Sequence, residues 1–262
     1  MIQKTYSFKM DEKVNDVYTL SNANGYEVDI LTYGGRITRI FAPDKNGRFD
    51  DLIVGCAKPE DYYEENPYFG ATIGRYGNRI EGAKFTLNGQ EYHIEQNEKG
   101  NTLHGGYSSN FDRVIWAAKI DKDLIPHGEY EEIDGTPYSF YTPKLLGKDM
   151  FADAEMIKHC NGFDFNYCIE RETERDLELC ARVYDFETGR KMECYTTLPG
   201  VQLYTACGMG GFKGKKDYVN HCALCLETQG YPNSPNCPQY PSTVLKAGEI
   251  YHEITVYKFS VV

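Results

Sequence analysis

Three short segments of the chain hold side chains suited to acid–base or hydrogen-bond chemistry, and each lies among glycines or prolines rather than in a regular pattern. Functional residues concentrate in such segments. The first spans residues 74–80, where Arg75, Asn78 and Arg79 precede a hairpin pattern. Arg and Asn offer fixed hydrogen-bond donors, which suit the neighbouring hydroxyl groups of a sugar. The alternative is a turn with surface arginines.

The second segment spans residues 101–106 and contains His104, followed by Gly105 and Gly106. Histidine is the side chain best able to exchange protons near neutral pH. Two glycines allow the backbone to approach a ligand closely. The alternative interpretation is a structural histidine with satisfied hydrogen bonds.

The third segment contains Glu227, at the point where an apolar stretch gives way to the proline-rich residues 231–241. A carboxylate that packing places at a strand end, partly removed from water, has a raised pKa and can act as a general base. The alternative is a glutamate that forms a salt bridge at the end of a strand.

The elements that must position these segments are β-strands. Short apolar or alternating stretches are separated by turn residues, with almost no 3.6-residue periodicity, and this pattern predicts an all-β fold. Strand pairs are predicted for residues 17–20 with 26–32, 36–41 with 52–54, and 84–87 with 90–94, and further strands for residues 177–184, 192–197 and 201–205.

One short helix is predicted for residues 59–65, and residues 122–153 are predicted to form surface loops. Many strands without crossover helices indicate a sandwich rather than a parallel sheet. At 262 residues, with neither an internal repeat nor a linker, the chain is predicted to form a single domain over residues 1–262.

The formal charge of −11 argues against binding to nucleic acid or to a membrane surface, and favours a neutral small molecule. The sequence has no apolar run of membrane-spanning length and no signal core, so we expect a cytoplasmic protein. Nine cysteines, an odd number, suggest reduced thiols. Cys222 and Cys225 have the spacing of half a zinc site, but on a strand they would point to opposite faces, so we expect no metal.

Several motifs together closely resemble the aldose 1-epimerase (galactose mutarotase) family. Apart from one gap they follow its order from about Leu31 to the C-terminus, and they span residues 68–80, 101–106, 196–205, 226–245 and 251–260. The resemblance implies a large, shortened β-sandwich of the galactose mutarotase type. It also implies an enzyme that interconverts the α and β anomers of free galactose or glucose and requires no cofactor. The motifs look less like the branch that acts on hexose 6-phosphates.

The resemblance assigns roles to individual residues. His104 matches the first active-site histidine of the family and Glu227 its catalytic base. The sugar-binding positions correspond to Asn78, Arg79, Asp164 and Gln202. At Phe165 the family usually has a histidine.

One departure lies between Trp116 and Leu124, where the family continues through several more strands and an Asn-His-Ser motif whose histidine is the catalytic acid. No Asn-His-Ser motif occurs in this chain. The acid role would then fall to His104, or to His127 or His159, whereas His93, His221 and His252 are predicted to lie in strands. Alternatively, the chain is a non-catalytic sugar-binding relative, or a shortened sandwich whose open edges are covered by a second chain or by rearranged loops. We therefore expect a monomer or a homodimer.

Overall fold

The computed structural model describes residues 1–64, 68–108, 110–113, 133–171, 173 and 176–262. His127 and the stretch between Trp116 and Leu124 lie outside the described residues. Strands dominate, and in chain order they are β1 (Ile2–Met10), β2 (Lys13–Ser21), β3 (Glu27–Leu31), β4 (Arg36–Pro43), β5 (Phe49–Asp51), β6 (Arg79–Ile80), β7 (Lys84–Leu87), β8 (Gln90–His93), β9 (Thr102–Leu103), β10 (Asp164–Cys168), β11 (Glu178–Tyr184), β12 (Arg190–Thr196), β13 (Gly200–Tyr204), β14 (Cys225–Gln229) and β15 (Thr255–Val261).

The strands form antiparallel sheets, and the fold is the all-β sandwich that the sequence predicts. Strands β1 to β5 make a five-stranded sheet in chain order. Two three-stranded sheets have the orders β10-β13-β14 and β11-β12-β15, and two-stranded pairs join β6 to β9 and β7 to β8. The helices are short: α1 (Asp61–Glu64), α2 (Leu146–Asp149) and α3 (Glu155–Cys160). None of the helices within the described ranges is long and apolar enough to cross a membrane.

The sheet β10-β13-β14 positions the functional side chains through its two-residue period. Phe163, Leu203 and Leu226 belong to an apolar cluster that also includes Ile157 of α3. Since successive side chains of a strand point to opposite faces, the residues between these apolar positions face away from the cluster. The opposite face is therefore polar, and it carries Asp164, Asn166, Gln202, Tyr204, Cys225, Glu227 and Gln229.

A buried ion pair supports the two glycine-containing segments. Arg36 of β4 and Asp112 are both fully buried, with Nη2 of the arginine 3.3 Å from the carboxylate. The same guanidinium donates to the carbonyl oxygens of Asp112 and Phe69, at 3.1 and 3.3 Å. It therefore links the five-stranded sheet to the residues that precede and follow the site segments.

The predicted hairpins at residues 17–32 and 84–94 are confirmed, and in the second one Asn88 and Gly89 both have positive φ angles, 51° and 75°. The helix predicted at residues 59–65 is confirmed over α1.

The strand predicted at residues 52–54 is wrong, because pairing to β4 takes place over β5 instead. Here the Asp51 side chain accepts hydrogen bonds from the backbone N–H groups of Ile40 and Ile53, which replaces part of a regular ladder. The helices α2 and α3 and the long strand β1 were not predicted.

Candidate functional site

A cavity of about 2290 Å³ is lined by residues of the five-stranded sheet and of both three-stranded sheets. Two elements contribute most of the functional side chains to its wall: the polar face of β10-β13-β14, and the segments around β6 and β9. All six side chains to which the sequence assigns a role lie on this wall: Asn78, Arg79, His104, Asp164, Gln202 and Glu227. The structure thus brings together residues that are up to about 150 positions apart in the chain.

Glu227 lies in the middle of β14, directly opposite Gln202 of β13. The pKa of its carboxyl group is raised from 4.5 to about 7, chiefly by burial and also by the negative charge of Asp164, while the positive charge of Arg79 opposes the shift. A carboxyl group with this pKa can both accept and release a proton near neutral pH. These properties fit a general base.

Asp164 is the first residue of β10, and it is held by Gln202, whose Nε2 donates a 2.7 Å hydrogen bond to Oδ1. Burial raises the pKa of Asp164, while the Gln202 hydrogen bond and the charge of Arg79 lower it. No group among the described residues donates to its second oxygen, which can accept a hydrogen bond from a ligand hydroxyl.

His104 follows β9 directly, and its ring is oriented by the backbone of Asn78, which lies directly before β6. The N–H of Asn78 donates to Nδ1 of His104 at 2.9 Å, so Nδ1 is an acceptor and the ring proton is assigned to Nε2. Burial lowers the pKa of the imidazole to about 4, and the positive charge of Arg79 contributes. At neutral pH the ring is therefore uncharged, and its Nε2–H is a hydrogen-bond donor. The Tyr68 ring packs against it, with the centroids 5.0 Å apart.

The Arg79 guanidinium is clamped by Glu98. Nε and Nη2 of the arginine donate to the two carboxylate oxygens at 3.0 and 3.2 Å, and Nη1 donates to Oδ1 of Asn78 at 3.2 Å. A guanidinium has five N–H groups, so these bonds leave two of them for a ligand. Glu98 was not predicted, and no short-range pattern in the sequence points to it.

Two further polar residues were missed although a signal was present. Asn166 and Gln229 lie two residues beyond Asp164 and Glu227, so the period of a strand places them on the same face as the site residues. Gln229 donates to both Asn166 and Gln202.

The positions of the remaining described histidines agree only in part with those predicted from the sequence. His159 is an exposed residue of α3 and does not line the cavity. The predicted strand position of His221 is wrong, because His221 lies in a turn before β14, on the cavity wall, with Nδ1 3.1 Å from the carbonyl oxygen of Thr205. His252 also lies outside a strand, whereas His93 ends β8 as expected.

The described residues contain no group of three or more His, Cys, Asp or Glu side chains that could hold a metal ion. Cys222 precedes β14 rather than lying on it, so the predicted strand position of this cysteine is wrong.

An all-β sandwich whose cavity combines a carboxyl group of raised pKa, a neutral imidazole and several hydroxyl-directed donors defines a class of proteins that bind and act on polyhydroxylated ligands. The model of the aldose 1-epimerase family matches residues 16–122 and 117–258. The chain therefore belongs to the aldose 1-epimerase family.

Individual relatives agree with this assignment. The chain is similar to galactose mutarotase of Rattus norvegicus, with 31% identity over 319 residues, 89% of this chain and 91% of the relative. It is similar to aldose 1-epimerase of Escherichia coli (strain K12), with 23% identity over 99% of both chains. The fold is similar to the crystal structure of a GalM/aldose epimerase homologue from C. elegans, with a TM-score of 0.82, 19% identity, and coverage of 95% of this chain and 99% of that one.

The alignment with the rat protein has more positions, 319, than this chain has residues, 262. The relative therefore contains residues without a counterpart here, in agreement with the internal gap expected from the sequence. The two parts of the family match meet at residues 117–122, where the gap was expected.

Proposed function

We propose that the chain is an aldose 1-epimerase, which interconverts the α and β anomers of free hexoses such as galactose and glucose. The observation that carries this proposal is the position of Glu227, whose carboxyl pKa is raised by burial to about 7 on the wall of a cavity shared with Arg79 and His104. A mutarotation catalyst needs such a base, and the names of the relatives support the choice of reaction.

In the proposed reaction, the Glu227 carboxylate removes the proton from the anomeric hydroxyl group of the sugar. The bond between the anomeric carbon and the ring oxygen breaks, the ring oxygen takes up a proton from solvent water, and the sugar becomes an open-chain aldehyde. Rotation about the adjacent carbon–carbon bond exposes the other face of the aldehyde. Ring closure with the proton transfers reversed gives the opposite anomer.

His104 and the polar side chains orient the sugar for these transfers. The Nε2–H of His104 donates a hydrogen bond to the ring oxygen and polarises the bond that breaks. Arg79, Asn78, Asp164 and Gln202 hold the other hydroxyl groups. Because the hydrogen bond from Asn78 and the burial of the ring keep His104 neutral, it polarises the ring oxygen more readily than it donates a proton.

That neutral state favours a second candidate function, a sugar-binding protein without activity. General acid catalysis typically contributes about 10² to 10⁴ in rate, so a site without a strong acid can bind hexoses while losing this share of the rate.

We further propose that the chain forms one domain and is a cytoplasmic monomer or homodimer. Within the described residues the cysteines form no disulfide, which fits a reducing compartment.

Polarimetry of freshly dissolved α-D-galactose and α-D-glucose tests the proposed activity. We expect the protein to accelerate mutarotation above a buffer blank, and Glu227→Gln to reduce kcat by at least about 10²-fold. Glu187→Gln, in the exposed turn before β12, is the matched control and should retain full activity. If the protein binds galactose but mutarotation proceeds no faster than in the buffer blank, the result would instead support a sugar-binding protein.

A further inference from the structure

A chain of side-chain hydrogen bonds runs beneath the site, across the polar face of β10-β13-β14. Nε2 of Gln229 donates to Oδ1 of Asn166 at 2.8 Å and to Oε1 of Gln202 at 3.2 Å. Nε2 of Gln202 then donates to Oδ1 of Asp164 at 2.7 Å. The two glutamines are almost completely buried, with exposed fractions of 1% and 5%.

The chemistry of the four groups fixes the direction of every bond in this chain. An ionised carboxylate only accepts hydrogen bonds, so Gln202 must turn its NH₂ group toward Asp164. Its carbonyl oxygen then faces Gln229, which must in turn present its own NH₂ group. Reversal of the Gln229 amide would place its oxygen against the oxygens of Gln202 and Asn166, which is unfavourable in a buried setting.

The backbone leaves room for this arrangement at one position. Gly200 is paired with Cys168 on one side and with Gln229 on the other. A Cβ atom at this glycine would lie 2.6 Å from Oδ1 of Asn166 and 3.1 Å from a ring carbon of Tyr231. Because residue 200 has no side chain, Gln229 can reach across its strand to Asn166.

We propose that Gln229 is a positioning residue of the sugar site: with Asn166 behind it, Gln229 fixes the amide orientation of Gln202 and thereby the hydrogen bond that holds the Asp164 carboxylate. The role of Asp164 in sugar binding rests on the proposed function. The hydrogen-bond chain itself can be measured without substrate.

Titration of the Asp164 carboxyl carbon by ¹³C NMR reports directly on this hydrogen-bond network, and Asp164→Asn serves to assign the signal. The Gln202 hydrogen bond lowers the pKa of Asp164, beneath the larger raising effect of burial. In Gln229→Met, which keeps the length of the side chain and removes the donor, Gln202 is released and we expect the pKa of Asp164 to rise. Asn166→Leu removes the acceptor at the far end of the hydrogen-bond network, and it should raise the pKa of Asp164 by a smaller amount.

Steady-state kinetics of mutarotation give the second readout. For Gln229→Met we expect the KM for galactose to rise about 5- to 10-fold, the loss typical of one displaced hydrogen bond, with kcat changed less than about threefold. Gln90→Met, on the exposed strand β8, is the matched control and should behave like the unmodified protein. Thermal unfolding establishes that each variant is folded.

The outcomes separate the two proposals. An unchanged pKa of Asp164 in folded Gln229→Met and Asn166→Leu would overturn the positioning role, even if the unmodified protein is an active epimerase. An unmodified protein without activity would overturn the proposed function, while a raised pKa of Asp164 in the variants would still support the role of Gln229 in positioning this carboxylate.

Discussion

The backbone N–H of Asn78 donates a 2.9 Å hydrogen bond to Nδ1 of His104, and this bond sets the tautomer of the imidazole. With Nδ1 used as an acceptor, the ring carries its proton on Nε2. None of the described side chains or backbone groups binds Nε2. The histidine is therefore prepared to donate one hydrogen bond to a ligand in the cavity.

We predict that His104 stays neutral across the physiological range, because burial lowers its pKa to about 4. In ¹⁵N NMR spectra the His104 ring should show the Nε2–H tautomer and no titration between about pH 6 and pH 9. His104→Asn, whose side-chain oxygen can replace Nδ1 as acceptor, serves to assign the signals. Titration of the ring near its ordinary value of 6.5 would contradict the prediction.

The rate of mutarotation should depend on the ionisation of Glu227. Only the carboxylate can remove a proton, so kcat/KM should rise with pH through a midpoint near 7, the value to which burial raises the Glu227 pKa. The pH dependence of the catalysed rate, corrected for buffer catalysis, measures this midpoint. A midpoint near 4.5 would mean that Glu227 is not the base or is fully hydrated.

The same ionisation should reduce stability. A carboxyl group whose folded-state pKa lies above its unfolded value binds more protons in the folded state, so the unfolding free energy falls as the pH rises from about 4.5 to 7. We therefore predict that Glu227→Gln, which carries no charge, melts at a higher temperature than the unmodified protein at pH 8. Below about pH 4.5 the two melting temperatures should converge. An equal difference at both pH values would point to packing rather than ionisation.

Glu98→Gln should weaken hexose binding through Arg79. The bidentate contact between these side chains holds the plane of the guanidinium, and an amide can accept only one of its two hydrogen bonds. We expect the KM to rise about 3- to 10-fold, in the range of the net contribution of one ordinary hydrogen bond. Glu91→Gln, which loses an exposed ion pair with Lys84, is the matched control. Equal kinetics for both variants would mean that Glu98 does not support hexose binding.

Asp112→Asn should destabilise the protein by about 3 to 5 kcal/mol, because it leaves the fully buried Arg36 cation without its carboxylate partner. Asp153→Asn breaks a surface ion pair in which the aspartate is 90% exposed, so it should change stability by less than about 1 kcal/mol. Denaturant unfolding followed by circular dichroism compares the two variants.

Sequence reasoning identified the strands well where apolar and polar residues alternate, as in β7, and where Asn88 and Gly89 form a tight turn. The proposed site residues could be identified because the motifs that contain them are distinctive. The structure places all six on the cavity wall. The sequence does not reveal the clamp of Glu98 on Arg79, since the pair forms only when β6 and the loop before β9 come together in the fold. Asn166 and Gln229 could have been predicted, because they lie two residues after Asp164 and Glu227 and a strand places such residues on the same face.

The short helix α3 was missed for a different reason. Its six residues are too few to show a helical period, and it is stabilised by Ile157, which packs into the apolar cluster of the site sheet.

The alternation of side chains along β14 links the packing of the core to the position of the proposed base. Leu226 packs into the core while Glu227, one position later, faces the cavity. An insertion or deletion of one residue inside β14 would exchange the two faces, burying the carboxylate among aromatic rings and turning the leucine toward the sugar. Insertions and deletions can therefore be tolerated in the loops that flank this strand. Within the strand, the number of residues must stay the same.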